Sequence, residues 1–197
     1  MTDDQHGHAR RRFLRQVAGA ATALLPGWAA SEAAAFASPV LSDAEGLRKL
    51  AMQHTHTGER IEIAYASGSQ YLPDALGSLN HFLRDHYNGQ TGRIDPALFD
   101  VLHRVHSLLG IDERSSVRFE VISGYRSPAT NRFLRKTRGG GVANRSLHME
   151  GQAIDVRLTG VPLAELRDAA LALKAGGVGY YPGEQFVHLD TGRVRSW

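Results

Sequence analysis

The sequence predicts an α+β fold in which a small, mainly antiparallel sheet is flanked by helices. Three observations support this prediction: segments with strand-like alternation, amphipathic helical segments between them, and no regular strand-helix-strand repeat of the kind that favours a parallel sheet. Of the 197 residues, 42% are hydrophobic and 22% are charged, which is typical of a folded globular protein. This length suits one domain with a substantial core.

The first half of the predicted domain contains two strand patterns and two helix patterns. Residues 59–66 and residues 118–123 alternate polar and apolar side chains, so each segment predicts a half-buried strand. Apolar residues at helical spacing predict a helix over residues 73–87. A second helix is predicted from Asp95-Pro96, a typical helix start, to Gly110, a typical helix end.

The second half continues this mixture of helices and strands. A helix is predicted over residues 129–136, directly after Pro128, and a strand over residues 152–158. Pro162 begins a further helix, which we expect Gly176-Gly177 to end. Two strands, over residues 178–181 and 185–190, complete the predicted core.

The first 37 residues have the organisation of an export signal. Arg10-Arg11, followed by Arg12-Phe13-Leu14-Arg15, fits the twin-arginine pattern. The apolar stretch over residues 16–30 is too short and too weakly hydrophobic for a permanent membrane span, and small residues before Ser38 predict cleavage after Ala37. We therefore expect a signal peptide over residues 1–37, a single domain over residues 38–197, and a location in the periplasm or cell-wall space. The alternative is a basic tail followed by a helix packed on the domain.

Charge and cysteine content exclude several function classes. The formal net charge is only +3, from 23 basic and 20 acidic residues, which does not indicate a nucleic-acid partner. The chain has no cysteine, so disulfides, thiolate metal sites and a cysteine nucleophile are excluded. A metal site must therefore use His, Asp or Glu, and ten histidines are present.

One short segment and one strand carry a candidate metal site. His148 precedes Asp155 by seven residues, and the small residues Gly151 and Ala153 between them allow the chain to fold tightly. His188, in the last long strand pattern, is the candidate third ligand. Two histidines and one carboxylate are a common catalytic zinc set, because the fourth position stays open for a water molecule that the ion activates.

These residues resemble a known metal-binding pattern. Ser146-x-His148-x-x-Gly151-x-Ala153-x-Asp155, followed by Phe186-Val187-His188, is similar to the pattern of the LAS-type peptidases, named for lysostaphin, D-Ala-D-Ala carboxypeptidases and the Sonic hedgehog fold. Among these, the YcbK-like murein endopeptidases are the most similar, and the resemblance covers nearly all of residues 42–197. It implies a hedgehog/DD-peptidase-like fold and one Zn²⁺ ion held by His148, Asp155 and His188.

The resemblance implies an exported zinc metallopeptidase that hydrolyses peptide cross-links in peptidoglycan. Arg126 is expected near the carboxylate-rich stem peptides, because its planar guanidinium pairs well with carboxylates, and Ser146 and Tyr125 are the other predicted substrate-binding residues. Two alternatives stay open: a D-alanyl carboxypeptidase acting on the same stem peptides, and a non-catalytic zinc-containing module that binds peptidoglycan.

The general base is less well indicated by the sequence. Many relatives have an acid or a histidine two or three residues before the last metal histidine, but Phe186 and Gln185 occupy those positions here. Strand alternation places Glu184 and Asp190 on the same face as His188, so Asp190 is the first candidate and Glu184 the second. Asp190 could instead orient a ligand histidine.

The remaining histidines are interpreted as structural. His54 and His56 lie just before Gly58, and His103 and His106 lie among the apolar residues of a predicted helix.

Overall fold

The computed structural model describes residues 46–112, 115–137 and 142–197. All of them belong to one compact unit. The predicted export signal over residues 1–37, and the predicted start of the domain at residue 38, lie outside the described residues. Within the described ranges, no helix is both long and apolar enough to span a membrane.

The structure contains helices and strands in irregular order, as the sequence predicted. In chain order the regular elements of the described residues are β1 (Leu47–His54), β2 (Arg60–Ser67), β3 (Gln70–Tyr71), α1 (Pro73–Phe82), α2 (Pro96–Leu108), β4 (Phe119–Ser123), α3 (Pro128–Thr137), a 3-10 helix (Leu147–Glu150), β5 (Ala153–Leu158), α4 (Leu163–Leu173), β6 (Gly177–Tyr181), β7 (Phe186–Asp190) and β8 (Arg195–Ser196).

The strands form one sheet with the order β3-β2-β1-β4-β5-β7-β6-β8. Its neighbouring strands are antiparallel except for the parallel pairs β1–β4 and β6–β8. The predicted α+β class with a mainly antiparallel sheet is therefore confirmed. The sheet has more strands than predicted, because charged residues at the start of β1 obscure its alternation and because β3 and β8 are only two residues long.

Helices α1, α2 and α4 pack against this sheet. Helix α1 contacts β2, α2 contacts β1, and α4 contacts β5, β6 and β7. Apolar side chains from these helices and from the sheet form the core. The largest fully buried residues are Met52, Tyr65, Leu79, Leu83, Ile94, Leu98, Phe99, Leu102, Phe119, Ile154, Leu166 and Leu189.

The helix starts follow the sequence prediction better than the helix ends. Asp95 caps α2, because its Oδ1 accepts a hydrogen bond from the backbone N–H of Ala97 at 3.0 Å. Helix α1, predicted to reach residue 87, ends at Phe82. Beyond it, the buried carboxylate of Asp85 accepts the backbone N–H groups of Tyr87 and Ser127, and this competes with helical hydrogen bonding.

Helix α4 also ends earlier than predicted. Its last residue is Leu173, and Lys174 adopts a left-handed conformation with φ of 48°. Gly176 and Gly177 therefore do not cap the helix. They lead into β6, which begins at Gly177, and a Cβ on the preceding Gly176 would collide with the backbone carbonyl of Asp190.

Candidate metal centre and its groove

A single row of residues crosses four neighbouring strands and contains two of the predicted metal ligands. The strand register pairs Ser123 of β4 with Asp155 of β5, Asp155 with His188 of β7, and His188 with Gly179 of β6. Paired residues on neighbouring strands point to the same face of a sheet. The register therefore brings the Asp155 carboxylate and the His188 imidazole side by side.

Three donor atoms converge at this row. His188 Nδ1 lies 2.8 Å from Asp155 Oδ1, and His148 Nε2 lies 3.3 Å from Asp155 Oδ2. One ligand atom from each of these residues lies within 4.8 Å of the other two, so the three side chains can hold a metal ion. Two imidazoles and one carboxylate suit zinc, which binds imidazole nitrogen and carboxylate oxygen in a tetrahedral arrangement.

A short irregular segment brings His148 to the sheet. The 3-10 helix Leu147–Glu150 ends at Gly151, whose φ of 69° lies in the left-handed region. A Cβ on Gly151 would collide with the backbone carbonyl of Arg93, so this position needs glycine both for its conformation and for its close approach. His148 Nδ1 lies 2.8 Å from the carbonyl oxygen of Gly124. Because a carbonyl can only accept, Nδ1 carries the proton and Nε2 keeps its lone pair for a metal.

Asp190 lies on the opposite side of the His188 ring from Asp155. Its Oδ2 is 3.1 Å from His188 Nε2, so Nδ1 faces Asp155 while Nε2 faces Asp190. Asp190 also accepts the backbone N–H groups of Gly177 and Gly192, each at 2.9 Å. Arg195 donates to both of its oxygens, at 3.0 and 2.7 Å. This geometry orients the His188 ring so that Nδ1 can bind a metal.

The electrostatics of the cluster favour charged carboxylates. Burial acts to raise the pKa of Asp155, but the neighbouring His148 and His188 outweigh it and hold that pKa well below its usual range. The pKa of Asp190 is also lowered: burial opposes the shift, while His188, Arg195 and two backbone N–H groups produce it. For His188, burial acts to lower the pKa, but hydrogen bonds to both aspartates raise it to about 9.

His148 differs electrostatically from His188. Burial lowers its pKa, and the nearby Arg126 and His188 act in the same direction, although Asp155 opposes the shift. A neutral imidazole is the form that binds a metal. His148 is therefore already prepared to act as a ligand, whereas His188 must release a proton when a metal binds.

Trp197 lies beside the centre because Gly179 has no side chain. A Cβ on Gly179 would lie within 2.7 to 2.9 Å of the Trp197 indole. The indole centroid is 5.3 Å from that of the His188 ring, and the indole N–H donates to the Tyr181 hydroxyl at 2.7 Å. Arg195 stacks over the same indole with its guanidinium carbon 4.8 Å from the ring centroid. Tyr181, Phe186 and Trp197 form an aromatic wall beside the centre, and the position of Trp197 in this wall depends on Gly179 of the neighbouring strand β6.

The centre opens into a groove of about 660 Å³. Its walls carry basic, aromatic and small polar side chains, with Asp155 and Glu184 as the acidic residues. The lining residues are His56, Ile122, Arg126, Val142, Ala143, Arg145, Ser146, Leu147, His148, Asp155, Tyr181, Glu184, Phe186, His188, Arg195 and Trp197.

The predicted substrate-binding residues are distributed unevenly around this groove. Arg126 and Ser146 line it. The Arg126 guanidinium also donates to Ser123 Oγ at 3.2 Å and lies 3.4 Å from Asp155 Oδ2, so it supports the carboxylate of the predicted metal ligand Asp155. Tyr125 packs against the core instead, with its ring where a Cβ on Gly92 would lie. Its predicted substrate contact has no support from its position among the described residues.

The two candidate general bases occupy different environments. Asp190 is 1% exposed and its oxygens are already hydrogen bonded. Glu184 was predicted to lie in a strand with His188, but it lies in the turn before β7, where Gln185 has a φ of 60°. Glu184 is exposed and nevertheless lines the groove.

The structure assigns roles to residues that sequence reasoning did not single out. Gly124 accepts a hydrogen bond from His148, Arg195 holds Asp190, and Trp197 contacts His188. Arg195 and Trp197 have a sequence signal, because they alternate near the end of the chain as residues on one strand face do. The carbonyl of Gly124 has no such signal, since any residue has a backbone carbonyl.

The histidines interpreted as structural lie outside the metal centre. The ring centroids of His54 and His86 are 5.4 Å apart, and His86 stacks on His56 with centroids 4.1 Å apart. The rings of His103 and His106 lie against Tyr65 and Phe119 respectively. Within the described ranges, the one group of three side chains that can hold a metal is His148, Asp155 and His188.

The α+β fold and the comparison with known families agree with the class that the sequence resemblance predicted, a peptidase of the LAS type. The profile of the peptidase M15 family described as "Peptidoglycan L,D-endopeptidase MepK" matches residues 42–197. The chain belongs to this family.

Curated relatives agree with this assignment. The chain is 47% identical over 150 residues to peptidoglycan L,D-endopeptidase MepK of Escherichia coli strain K12, covering 76% of this chain and 80% of that protein. The MepK of Shigella flexneri has the same identity and coverage. A probable peptidoglycan L,D-endopeptidase MepK of Haemophilus influenzae is 39% identical over 150 residues, covering 76% of this chain and 78% of that protein.

Proposed function

We propose that this protein is an exported zinc metallopeptidase that hydrolyses peptide cross-links in peptidoglycan. Its family membership and the names of its relatives support a peptidoglycan endopeptidase. The observation that carries the metal-dependent part of the proposal is the convergence of His148, Asp155 and His188 within 4.8 Å at the floor of an open groove.

The donor set fits zinc by its chemistry. His148 presents Nε2, because its Nδ1 donates to Gly124, and His188 presents Nδ1, because its Nε2 donates to Asp190. Zinc held by two imidazoles and one carboxylate keeps an open position, polarises a peptide carbonyl and lowers the pKa of water. Arg126 lies 3.4 Å from Asp155 Oδ2 and helps to hold this carboxylate in place.

The other groove residues supply binding and proton transfer. Ser146 and the aromatic wall of Tyr181, Phe186 and Trp197 bound the space in which a peptide lies. Glu184 is the one groove carboxylate, among the described residues, that is not part of the metal centre. It is therefore the better-placed group for moving a proton toward the leaving amine, while Asp190 orients His188.

The decisive experiment follows cross-linked muropeptides with the purified protein. Its bound metal is measured first, and it is then incubated with peptidoglycan alone, with a chelator, and with the chelator followed by excess zinc. We expect cross-linked dimers to become monomers, the chelator to stop this, and zinc to restore it. The proposal fails if dimers persist in the zinc-loaded protein.

Product analysis separates the two alternative functions. Release of free alanine without loss of cross-links would indicate the D-alanyl carboxypeptidase. Bound zinc and bound peptidoglycan without any new product would indicate the non-catalytic module, an alternative motivated by Gln185 in the place of an acid.

Matched variants test whether cleavage of cross-linked dimers depends on the proposed metal ligands. His148→Ala and His188→Ala are expected to lose both the metal and dimer cleavage. His81→Ala, which changes an exposed histidine at the end of α1, is the control and should keep both. Equal activity in all three variants would contradict the assignment of the metal ligands.

We also propose export through the twin-arginine route, based on Arg10-Arg11 and the apolar stretch that follows. Replacing both arginines by lysine should leave the protein in the cytoplasmic fraction, whereas the unchanged chain should reach the periplasm or cell wall. Export of the double variant at the normal level would contradict this route.

A further inference from the structure

The basic side chains of the groove are not equally available to a substrate. Arg126 lies 3.4 Å from Asp155, and its side chain is 12% exposed. Arg195 lies 2.7 Å from Asp190 and stacks on Trp197. Both guanidiniums are therefore already engaged with carboxylates that belong to the metal centre. A carboxylate of a bound peptide would have to compete with Asp155 or Asp190 for them.

Arg145 is the contrasting case. It is exposed and lines the same groove, next to Ser146 and three residues before His148. Within the described ranges it makes no ion pair and no side-chain hydrogen bond. With respect to the described residues, the donors of its guanidinium are therefore available to a ligand.

The backbone that carries Arg145 is held in place from both sides. The buried amide of Asn131 donates to the carbonyl of Ala143 at 3.1 Å, and Arg135 donates to the side chain of Asn144 at 2.7 Å. Both contacts tether this segment to α3. On the other side, the carbonyl of Ser146 accepts the N–H of Met149 at 2.9 Å. These hydrogen bonds anchor the backbone on both sides of Arg145.

We propose that Arg145 is a specificity-determining residue that binds a free carboxylate of the substrate peptide. The inference rests on the proposed function, because stem peptides of peptidoglycan are rich in free carboxylates. A planar guanidinium pairs with a carboxylate through two parallel hydrogen bonds, which sets the orientation of the peptide as well as its affinity. In this arrangement Arg126 supports Asp155 in the metal centre, and Arg145 binds the carboxylate of the substrate.

The test compares steady-state kinetics of zinc-loaded full-length variants on a purified cross-linked dimer. Arg145→Gln should raise KM about 5- to 10-fold at low ionic strength, because an exposed charge pair is partly screened by solvent. It should leave kcat within about twofold and the metal content unchanged. The KM of Arg145→Lys should lie between those of the wild type and Arg145→Gln, since lysine keeps the charge and loses the planar fork. Arg104→Gln, on the exposed face of α2, is the matched control and should behave as the wild type.

The substrate provides the complementary change. When the carboxylates of the dimer are converted to amides, the KM of the wild type should rise to that of Arg145→Gln, and the variant should show no further effect. A KM difference that persists on the amidated dimer would overturn the inference. An unchanged KM for Arg145→Gln would also overturn it. So would a loss of kcat or of bound metal in Arg145→Gln as large as the expected change in KM.

Failure of the proposed function is distinguishable from failure of this inference. If the wild type cleaves no dimer, the endopeptidase proposal fails first. The affinity of the uncleaved dimer for wild type and Arg145→Gln, measured by calorimetry, then decides the carboxylate contact. A weaker affinity of the variant that disappears with the amidated dimer supports it, and equal affinities overturn it.

Discussion

Asp190 Oδ2 and His188 Nε2 lie 3.1 Å apart, on the side of the imidazole ring that faces away from Asp155. A hydrogen bond at this position fixes which ring nitrogen carries the proton and how the ring is turned. We therefore propose that Asp190 positions His188, the proposed metal ligand. The relationship also separates Asp190 from the groove, where a general base would need to reach the substrate.

The first prediction tests this role of Asp190. Asp190→Asn should weaken zinc affinity about 10- to 100-fold. The single amide oxygen of asparagine would accept the backbone N–H groups of Gly177 and Gly192, so its NH2 group, which cannot accept, would face His188 Nε2. Activity at limiting zinc should fall in parallel and recover when zinc is in excess. Zinc titration monitored by both bound metal and dimer cleavage is the measurement. A variant that is saturated with zinc but still inactive would instead support the general-base role.

The second prediction concerns Glu184. Glu184→Gln should lower kcat by about 100-fold or more, since general acid-base catalysis typically contributes 10²- to 10⁴-fold, and should leave the bound zinc unchanged. Glu165→Gln, which changes an exposed residue of α4, is the control. A full kcat in Glu184→Gln would remove Glu184 from the mechanism.

The third prediction concerns the glycine that directs His148 to the sheet. Gly151 and Gly160 both have positive φ, at 69° and 72°, but only Gly151 lies against backbone, that of Arg93. Gly160→Ala should cost about 1 kcal/mol of unfolding free energy, the usual cost of a left-handed residue with a side chain. Gly151→Ala should cost about 1 to 3 kcal/mol more, because the backbone must shift.

Denaturant unfolding of the two glycine variants measures this difference. Zinc content should fall in Gly151→Ala and stay normal in Gly160→Ala, because only the former displaces the 3-10 helix that carries His148. Equal stabilities would show that the close contact with Arg93 relaxes at no cost.

The fourth prediction concerns acid stability. Burial, and to a smaller extent the neighbouring His56, lowers the pKa of His54 to about 4, and burial together with His56 and His54 lowers that of His86 to about 4. Unfolded histidine titrates near ~6.5. Between these values the unfolded chain binds more protons than the folded protein, so stability should decrease as the pH falls from about 6.5 to about 4.

The expected loss is about 1 to 3 kcal/mol for each of the two histidines, from about 1.4 kcal/mol per unit of pKa difference. His86→Gln should therefore show a shallower decrease of unfolding free energy over this range than the wild type. His81→Gln, at an exposed position of α1, is the control. An unchanged slope in His86→Gln would contradict a neutral His86 in the folded protein.

Local patterns were sufficient for much of the fold and for the candidate ligand set. Asp95-Pro96 predicted the start of α2 because capping is decided by neighbouring residues. Alternation located β2, β4, β6 and β7 to within one or two residues. His148 and Asp155 stood out because they lie seven residues apart with small residues between them. Strand β1 was missed because its first residues include Arg48 and Lys49, which interrupt the apolar pattern.

Strand pairing and long-range contacts decided what the sequence left open. Alternation predicted that Asp190 and His188 lie on one face of a strand. Only the register of β5 with β7 showed that Asp155 lies on the other side of the His188 ring. Only the tertiary structure brought Arg195 and two glycine amides into contact with Asp190. The sequence alone was sufficient to propose the ligand types, because they depend on residue chemistry and short spacing. The division of roles among Asp190, Glu184 and Arg145 depends on which atoms are already hydrogen bonded and which face the groove, and this follows from residues far apart in the chain.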